Sequence, residues 1–156
     1  MAKEIDYGKC LEKKLLDEAR LQRHTLIKVP EKFVGGYSAR GVRQLPTPFD
    51  YCGSVDKTAI FFDAKACGKT SFDLGTYVFA DKKVHQYKSL LEVHSNGDIA
   101  GYIIWLYHHG RIGFISVDRV QQLYRAEVKS INLETIGYFH QPDSQPFNFR
   151  NLLIQS

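Results

Sequence analysis

Hydrophobic and polar positions follow two different periods along the chain, and each period predicts one kind of element. Between residues 3 and 23, Leu11, Leu15 and Ala19 recur at helical spacing with charged residues between them, which predicts a helix with one buried stripe. Between residues 58 and 66 the period is two, which predicts a strand with an acid and a lysine on one of its faces. Both patterns are typical of elements that bury one side against a core.

The same patterns predict the remaining elements. In chain order they are a strand over 25–29, a strand over 49–55, a helix over 81–93 with Val84, Tyr87 and Leu91 inward, a hairpin with strands over 99–107 and 111–116, a helix from the N-cap Asp118 to residue 126, and a short strand over 135–139. Residues 30–48 are rich in glycine, proline and cations, which favours a loop or a projecting hairpin. This order predicts a central mixed β-sheet flanked by helices, an α/β (α+β) fold, in one domain over residues 1–156.

Two of the predicted strands bring carboxylates together. If Asp56-Lys57 forms a two-residue turn, Asp50 lies directly opposite Asp63 on the same face, with Cβ atoms about 4.5–5.5 Å apart. Lys65 follows two residues later and therefore points to that face as well. A three-residue turn would shift this register, so the prediction depends on the length of the turn.

Directly opposed carboxylates normally destabilise a sheet, so this pair needs compensation. A bound metal, a raised pKa or a nearby cation would each supply it. Mg²⁺ or Mn²⁺ fits best, because hard cations prefer oxygen ligands, and such a metal polarises phosphate and activates water. Lys65 would then hold the attacking water or neutralise charge on the phosphate in the transition state. The alternative is a solvent-facing ion cluster in which Lys65 bridges both acids.

The charge of the chain agrees with a nucleic-acid partner without requiring one. The net charge is only +4, but residues 20–49 contain six cations and a single anion. Such a local excess can contact phosphates, and it is equally typical of a solvated loop.

Cysteine usage and hydropathy indicate where the protein works. The three cysteines, Cys10, Cys52 and Cys67, are widely spaced and form no Cys-x-x-Cys pair, so neither a disulfide framework nor a closed zinc site is expected. No segment approaches the roughly 20 apolar residues of a membrane span, and the first residues lack the apolar segment of a secretory signal. We therefore expect a cytoplasmic protein without a membrane partner.

Four short motifs occur in the order found in one nuclease family. The first two are Asp50-Tyr51-Cys52-Gly53 and Asp63-Ala64-Lys65; Lys69-Thr70-Ser71-Phe72 and His85-Gln86 follow. Together they resemble the PD-(D/E)xK nuclease core and, more closely, the RecU-type Holliday junction resolvases. The likeness covers roughly residues 50–124. One departure is that the acid before Ala-Lys is commonly Glu in that family, whereas Asp63 is one methylene shorter.

The resemblance implies a restriction-endonuclease-like fold with a projecting basic stalk, here over about residues 31–46. It also implies a Mg²⁺-dependent homodimer, with Mn²⁺ as a possible substitute, that nicks two strands of a four-way DNA junction symmetrically. The catalytic residues it implies are Asp50 and Asp63 as metal ligands, Lys65 as the catalytic lysine, Glu12 as an acid on the first helix, and Gln86 as the residue that positions water or phosphate. The DNA-binding residues it implies are Lys32, Arg40, Arg43, Lys69, Thr70 and Ser71.

Other interpretations stay open from the sequence. Glu12 could be a charge on a solvated helix face, and Gln86 could be a helix-surface amide. The whole chain could be another PD-(D/E)xK nuclease that cuts branched or single-stranded DNA, or a catalytically silent DNA-binding protein of the same fold. A silent protein would bind DNA without metal-dependent cleavage, and a nuclease of other specificity would cut without preferring four-way junctions over duplex.

Overall fold

A computed structural model describes residues 3–30, 32–34, 43–45, 47–132 and 141–154; for 32–34 and 43–45 it describes the backbone only. The helices are α1 (Tyr7–Leu21), α2 (Leu74–Tyr77), α3 (Val84–Ser95), α4 (Val117–Arg125) and α5 (Asn151–Ile154). The strands are β1 (Thr25–Lys28), β2 (Lys32–Val34), β3 (Arg43–Leu45), β4 (Tyr51–Val55), β5 (Thr58–Cys67), β6 (Ser71–Asp73), β7 (Ile99–Leu106), β8 (Arg111–Ser116), β9 (Ser130–Asn132) and β10 (Gln141–Pro142).

The predicted mixed sheet flanked by helices is confirmed. Six strands form one sheet in the order β1-β4-β5-β7-β8-β10. The central pair, β5 and β7, is parallel, and the other neighbours in this sheet are antiparallel. The connection between β5 and β7 contains β6, α2 and α3, so this crossover lays α3 against the sheet. The site described below lies under that helix.

The two faces of the sheet bury different helices. On one face, here called the α1 face, Leu11 and Leu15 of α1 pack with Ile60 and Phe62 of β5. On the other, here called the α3 face, α3 and α4 pack over a cluster that includes Phe61 and Cys67 of β5. Because successive strand residues point to opposite faces, the period of two in β5 divides its side chains between these two clusters.

The turn between β4 and β5 has the length that the carboxylate argument requires. Asp56 and Lys57 both have positive φ, 47° and 68°, as a tight two-residue hairpin turn demands. Val55 pairs with Thr58 and Tyr51 with Phe62, so the predicted register is confirmed. The Nε atom of Arg150 lies 2.8 Å from Oδ2 of Asp56 and ties this turn to the C-terminal segment.

Two details of the predicted helices are wrong. The helix predicted over 81–93 runs from Val84 to Ser95, and its buried residues are Gln86 and Leu90. Of the residues expected to face inward, Tyr87 and Leu91 pack against the cluster on the α3 face, but they and Val84 are only partly buried. Gln86 is buried as well, because it finds polar partners beneath the helix, as shown below. The N-cap of α4 is Ser116, whose hydroxyl accepts a hydrogen bond from the Arg119 backbone; Asp118 lies in the first turn instead.

Parts of the predicted stalk and of the C-terminal region can be compared with the structure. Within 30–48, β2 and β3 form an antiparallel two-stranded sheet in which Lys32 pairs with Leu45 and Arg43 with Val34. This segment is therefore a hairpin where it is described. The strand expected over 135–139 lies outside the described residues. Among the helices that are described, none is long and apolar enough to cross a membrane.

Candidate active site

The confirmed register brings Asp50 and Asp63 together at the start of β4. The backbone N–H of Asp50 donates to Oδ1 of Asp63 over 2.7 Å, and the backbone N–H of Ala64 donates to Oδ2 of Asp50 over 3.4 Å. Each carboxylate thus accepts a hydrogen bond from the backbone of the opposite chain segment. The Asp50 carbonyl also accepts from the Val29 N–H over 2.7 Å, which fixes this segment beside β1. The two acids are therefore held facing each other by the backbone.

Asp63 is fully buried, and this changes its acidity. Burial, and after it the negative charge of Asp50, raise the pKa of Asp63 to about 6, although the Lys65 ammonium and the Asp50 N–H oppose the shift. A carboxylate with no exposed surface is costly to ionise unless it is paired or binds a metal. The fold therefore makes the ionised form of this acid less favourable than it would be in water.

One oxygen of Asp63 is left without a hydrogen bond. Nζ of Lys65 lies 3.3 Å from Oδ2, close enough for an ion pair, and this oxygen accepts no hydrogen bond. The side chain of Lys65 is itself only 10% exposed. Buried polar atoms nearly always have a partner, so an unpartnered carboxylate oxygen beside a second carboxylate is a position that a cation would satisfy.

Gln86 links the lysine to the other acid. Its Oε1 accepts from Nζ of Lys65 over 3.1 Å, and its Nε2 donates to Oδ1 of Asp50 over 3.3 Å. The amide is 6% exposed, so it is not a helix-surface amide. It lies beneath α3 and holds the ammonium and a carboxylate on either side. The structure thus brings together Asp50, Asp63, Lys65 and Gln86, which are four of the five predicted catalytic residues.

Glu12, the fifth, lies elsewhere. It belongs to α1, and its Oε2 is 2.6 Å from Nζ of Lys28 on β1. Tyr51 is close to both regions: burial raises the pKa of Tyr51, and the charges of Glu12, Asp50 and Asp63 raise it further, in that order. Within the described part of the chain, no group of three or more His, Cys, Asp and Glu side chains could hold a metal ion. Glu12 therefore does not complete a three-carboxylate site.

A two-carboxylate site still fits Mg²⁺. This ion typically uses one or two protein carboxylates, keeps several waters and takes further oxygen ligands from phosphate. Asp50 and Asp63 supply that number of hard oxygen donors, and Oδ2 of Asp63 has no hydrogen bond to give up. The residues present thus suit a magnesium or manganese ion that is completed by its substrate.

The predicted DNA contacts are only partly described. Lys69 and Thr70 are exposed on the loop after β5, four and five residues beyond Lys65, and Ser71 begins β6. The pairing of β6 with β9 that holds this loop was not predicted. Lys32 and Arg43 lie on β2 and β3 without described side chains, and Arg40 lies outside the described residues.

Sequence reasoning assigned no role to two residues near the site. Nε2 of His85 lies 3.0 Å from the Thr47 carbonyl, which ties α3 to the segment that carries Asp50. Tyr102 is the partner of Asp63 across the parallel β5–β7 pair, and its buried hydroxyl has no hydrogen-bond partner. The signal for the first is the His85-Gln86 motif, of which it is part. The second requires the strand order, which no local signal gives.

Comparison with known proteins agrees with this fold. Seventeen chains of solved structures match this one. Among them is Hjc from Archaeoglobus fulgidus, described as a Holliday junction resolvase from an archaeal hyperthermophile, with a TM-score of 0.50 and 21% identity over 88% of this chain and 89% of that chain. No curated protein sequence gives a significant match. The family model of RecU, Recombination protein U, matches residues 38–142, which is more than half of the 156 residues. The protein therefore belongs to the Recombination protein U family.

Proposed function

We propose that this protein is a metal-dependent endonuclease that resolves four-way DNA junctions by hydrolysing phosphodiester bonds. The observation that carries the proposal is the buried Oδ2 of Asp63, which has no hydrogen bond and lies in a cluster with Asp50 and Lys65. Membership of the Recombination protein U family supports a role in recombination. The fold shared with a protein described as a Holliday junction resolvase supports the choice of substrate.

In this proposal Asp50 and Asp63 hold Mg²⁺, with Mn²⁺ as a substitute. When bound, such an ion polarises the phosphate and lowers the pKa of a bound water. The backbone hydrogen bonds to both carboxylates support this role, because they fix the orientation of the two acids without using Oδ2 of Asp63. A cation held at that oxygen would compete with the Lys65 ammonium, which lies 3.3 Å from it.

Lys65 then acts on the substrate. Its ammonium, released from Asp63, neutralises the negative charge that grows on the phosphate as water attacks phosphorus and the bond to the leaving oxygen breaks. Gln86 limits where the ammonium can go, because its Oε1 accepts from Nζ over 3.1 Å while its Nε2 stays on Asp50. Gln86 is thus a positioning residue, and its amide keeps the lysine and the first acid in one geometry.

The remaining predicted residues act farther from the bond that is cut. Lys69, Thr70 and Ser71 follow β5 directly and contact the DNA backbone on either side of the cut. The basic segment over residues 31–46, with Lys32, Arg40 and Arg43, contacts the arms of the junction. Glu12 contributes through its negative charge, which helps to raise the pKa of Tyr51 beside the site.

We also propose that the working form is a homodimer, because a four-way junction is resolved by two symmetric cuts and one chain supplies one such site. Sedimentation or light scattering at micromolar concentration should give twice the 17.9 kDa mass of the chain. A mass that stays at one chain, with or without junction DNA, would contradict the dimer while leaving the nuclease proposal intact.

The decisive experiment is a cleavage assay on a labelled, immobile four-way junction, run with Mg²⁺, Mn²⁺ or EDTA beside a matched duplex. Wild type should make paired symmetric nicks that need the metal. Asp63→Asn should bind the junction and leave it uncut, because a neutral amide cannot balance the cation. The matched control is Asp17→Asn, an acid-to-amide change on α1 where the acid pairs with Arg20, and it should cut like wild type.

Three other results would each contradict one part of this proposal. Binding of the junction without cleavage under every metal condition would indicate a silent DNA-binding protein. Metal-dependent cleavage of duplex and junction at equal rates would indicate a nuclease of another specificity. Full cleavage by Asp63→Asn would show that Asp63 does not belong to the cleavage site.

A further inference from the structure

Tyr102 lies beside Asp63 on the α3 face of the sheet. The two residues are Cα partners in the parallel pairing of β5 with β7, and neighbouring strands lie about 4.7–4.9 Å apart. Partners in register point to the same face, so the aromatic ring stands next to the carboxylate. Tyr102 is 1% exposed and Asp63 is fully buried. The pair is therefore shielded from solvent by the same helix, α3.

These two side chains share an unusual property. Among the residues that the structure describes, the only buried side-chain nitrogen or oxygen atoms without a hydrogen-bond partner are Oδ2 of Asp63 and the hydroxyl of Tyr102. An unpaired buried hydroxyl costs free energy that phenylalanine would avoid. Here the two unpaired atoms are chemically complementary, because one is a carboxylate acceptor and the other is a phenol O–H donor.

The phenol is available as a donor. A tyrosine hydroxyl ordinarily has a pKa of about 10, so it keeps its proton across the neutral pH range. The strand pairing brings the side chains of Tyr102 and Asp63 close.

Among the described residues, the cation paired with Oδ2 of Asp63 is the Lys65 ammonium at 3.3 Å. Resting on the proposed function, in which Lys65 turns from this oxygen towards the DNA phosphate, we propose that Tyr102 is a positioning residue of the cleavage site, whose hydroxyl then donates to Oδ2 of Asp63. A carboxylate oxygen can accept this bond and ligate a cation at the same time. Partners of this kind orient metal-binding carboxylates, and removing one typically weakens metal affinity or activity about 10–100-fold.

The test is Tyr102→Phe, which removes one oxygen atom and keeps the ring. Since that oxygen has no partner in the described structure, the variant should fold and melt at a Tm no lower than that of wild type. Mn²⁺ binding to the protein without DNA should weaken roughly tenfold in calorimetry. Cleavage should fall at limiting Mn²⁺ and recover at high Mn²⁺, because the carboxylate stays in place but is less well oriented.

The matched control is Tyr87→Phe. Tyr87 lies on α3 over the same face, is partly buried, and directs its hydroxyl to Gln121. This variant should bind Mn²⁺ like wild type. Wild-type Mn²⁺ affinity and wild-type metal dependence of cleavage in Tyr102→Phe would overturn the inference and leave the nuclease intact. A wild-type protein that neither binds Mn²⁺ nor cuts the junction would overturn the proposed function and this inference with it.

Discussion

The two faces of β5 are built from alternating residues of one strand, yet they differ in what they contribute. On the α1 face, Ile60 and Phe62 are fully buried among apolar side chains of α1 and the C-terminal segment. On the α3 face, Asp63 is equally buried, and its neighbour Lys65 is nearly so. The first face lowers the free energy of the folded state by removing apolar surface from water. The second keeps a charged group where burial is unfavourable.

This difference separates the residues that packing explains from those that need a functional explanation. An apolar face can be explained by packing alone, whereas a buried acid with an unpartnered oxygen cannot. The polar cluster is local, because Phe61 and Cys67 of the same strand face belong to the apolar cluster under α3 and α4. The comparison therefore predicts that substitutions on the α1 face change stability, and that those in the polar cluster change chemistry.

The largest expected effect on stability is that of Phe62→Ala. Phe62 is fully buried, and its ring stacks on Tyr51 with centroids 5.0 Å apart. Removing it should lower the free energy of unfolding by about 3–5 kcal/mol. Denaturant unfolding measures this loss. If the remaining folded fraction cuts a junction at the wild-type rate per folded molecule, the two faces are separable. A loss of cleavage per folded molecule would show that the two faces are not separable.

The next effect is that of Gln86→Ala, which removes the link between Lys65 and Asp50. Cleavage should fall about 10–100-fold, as expected for a partner that orients catalytic groups. Gln122→Ala, in an exposed hydrogen bond to Asp118 on α4, is the control and should cut normally. Steady-state kinetics on the junction measure both. A drop in Gln86→Ala that affects only KM would indicate a DNA contact instead of a positioning role.

A smaller effect is the pH dependence that Asp63 imposes. The pKa of Asp63 is raised to about 6 in the folded protein, so between its ordinary value of 3.8 and 6 the folded state binds more protons than the unfolded state. Stability measured in EDTA should therefore fall as the pH rises through that range, and this contribution should be absent in Asp63→Asn. Cleavage should rise over the same interval, because the ionised acid is the form that holds the cation. Unfolding curves at pH 4.5 and 7 for both proteins test the sign, and a wild type that gains stability relative to Asp63→Asn on going to pH 7 would contradict it.

The smallest effect is expected for Glu12→Gln. Glu12 pairs with Lys28 at a partly exposed position on α1, and such pairs typically contribute about 1 kcal/mol or less. The free energy of unfolding should change by about 1 kcal/mol or less, and the rate of cleavage by less than about tenfold. The same assays measure it. A loss of cleavage as large as that of Asp63→Asn would mean that Glu12 joins the site during catalysis, and would extend the chemistry to α1.

The sequence predicted the sheet and the facing acids because both depend on local signals. The length of the Asp56-Lys57 turn and the period of two in β5 are sufficient to bring Asp50 opposite Asp63. The burial of Gln86 does not follow from the hydrophobic pattern of α3, because hydrophobic periodicity treats glutamine as an outward residue. Gln86 is buried because Lys65 and Asp50 lie beneath it, and only the tertiary structure contains that information.

The other gaps have the same cause. Tyr102 lies beside Asp63 only because β5 and β7 are parallel neighbours, a pairing that spans α3 and cannot be derived from either strand alone. The face to which Glu12 belongs is set by Leu11 and Leu15, which point α1 to the opposite side of the sheet. Signals within a strand or a hairpin were therefore sufficient for the acid pair, and contacts between distant segments decided the rest.

The tight turn at Asp56 and Lys57 has a consequence for how this protein can vary. Its two residues are six or seven positions from either acid, yet they set which residues of β4 and β5 meet. Substitutions that tolerate a left-handed backbone, such as Asn or Gly, leave that alignment unchanged. A single inserted residue would instead slip one strand by one position and send Asp50 and Asp63 to opposite faces of the sheet. The number of residues in the turn is thus a stricter constraint than the identity of the two residues that form it.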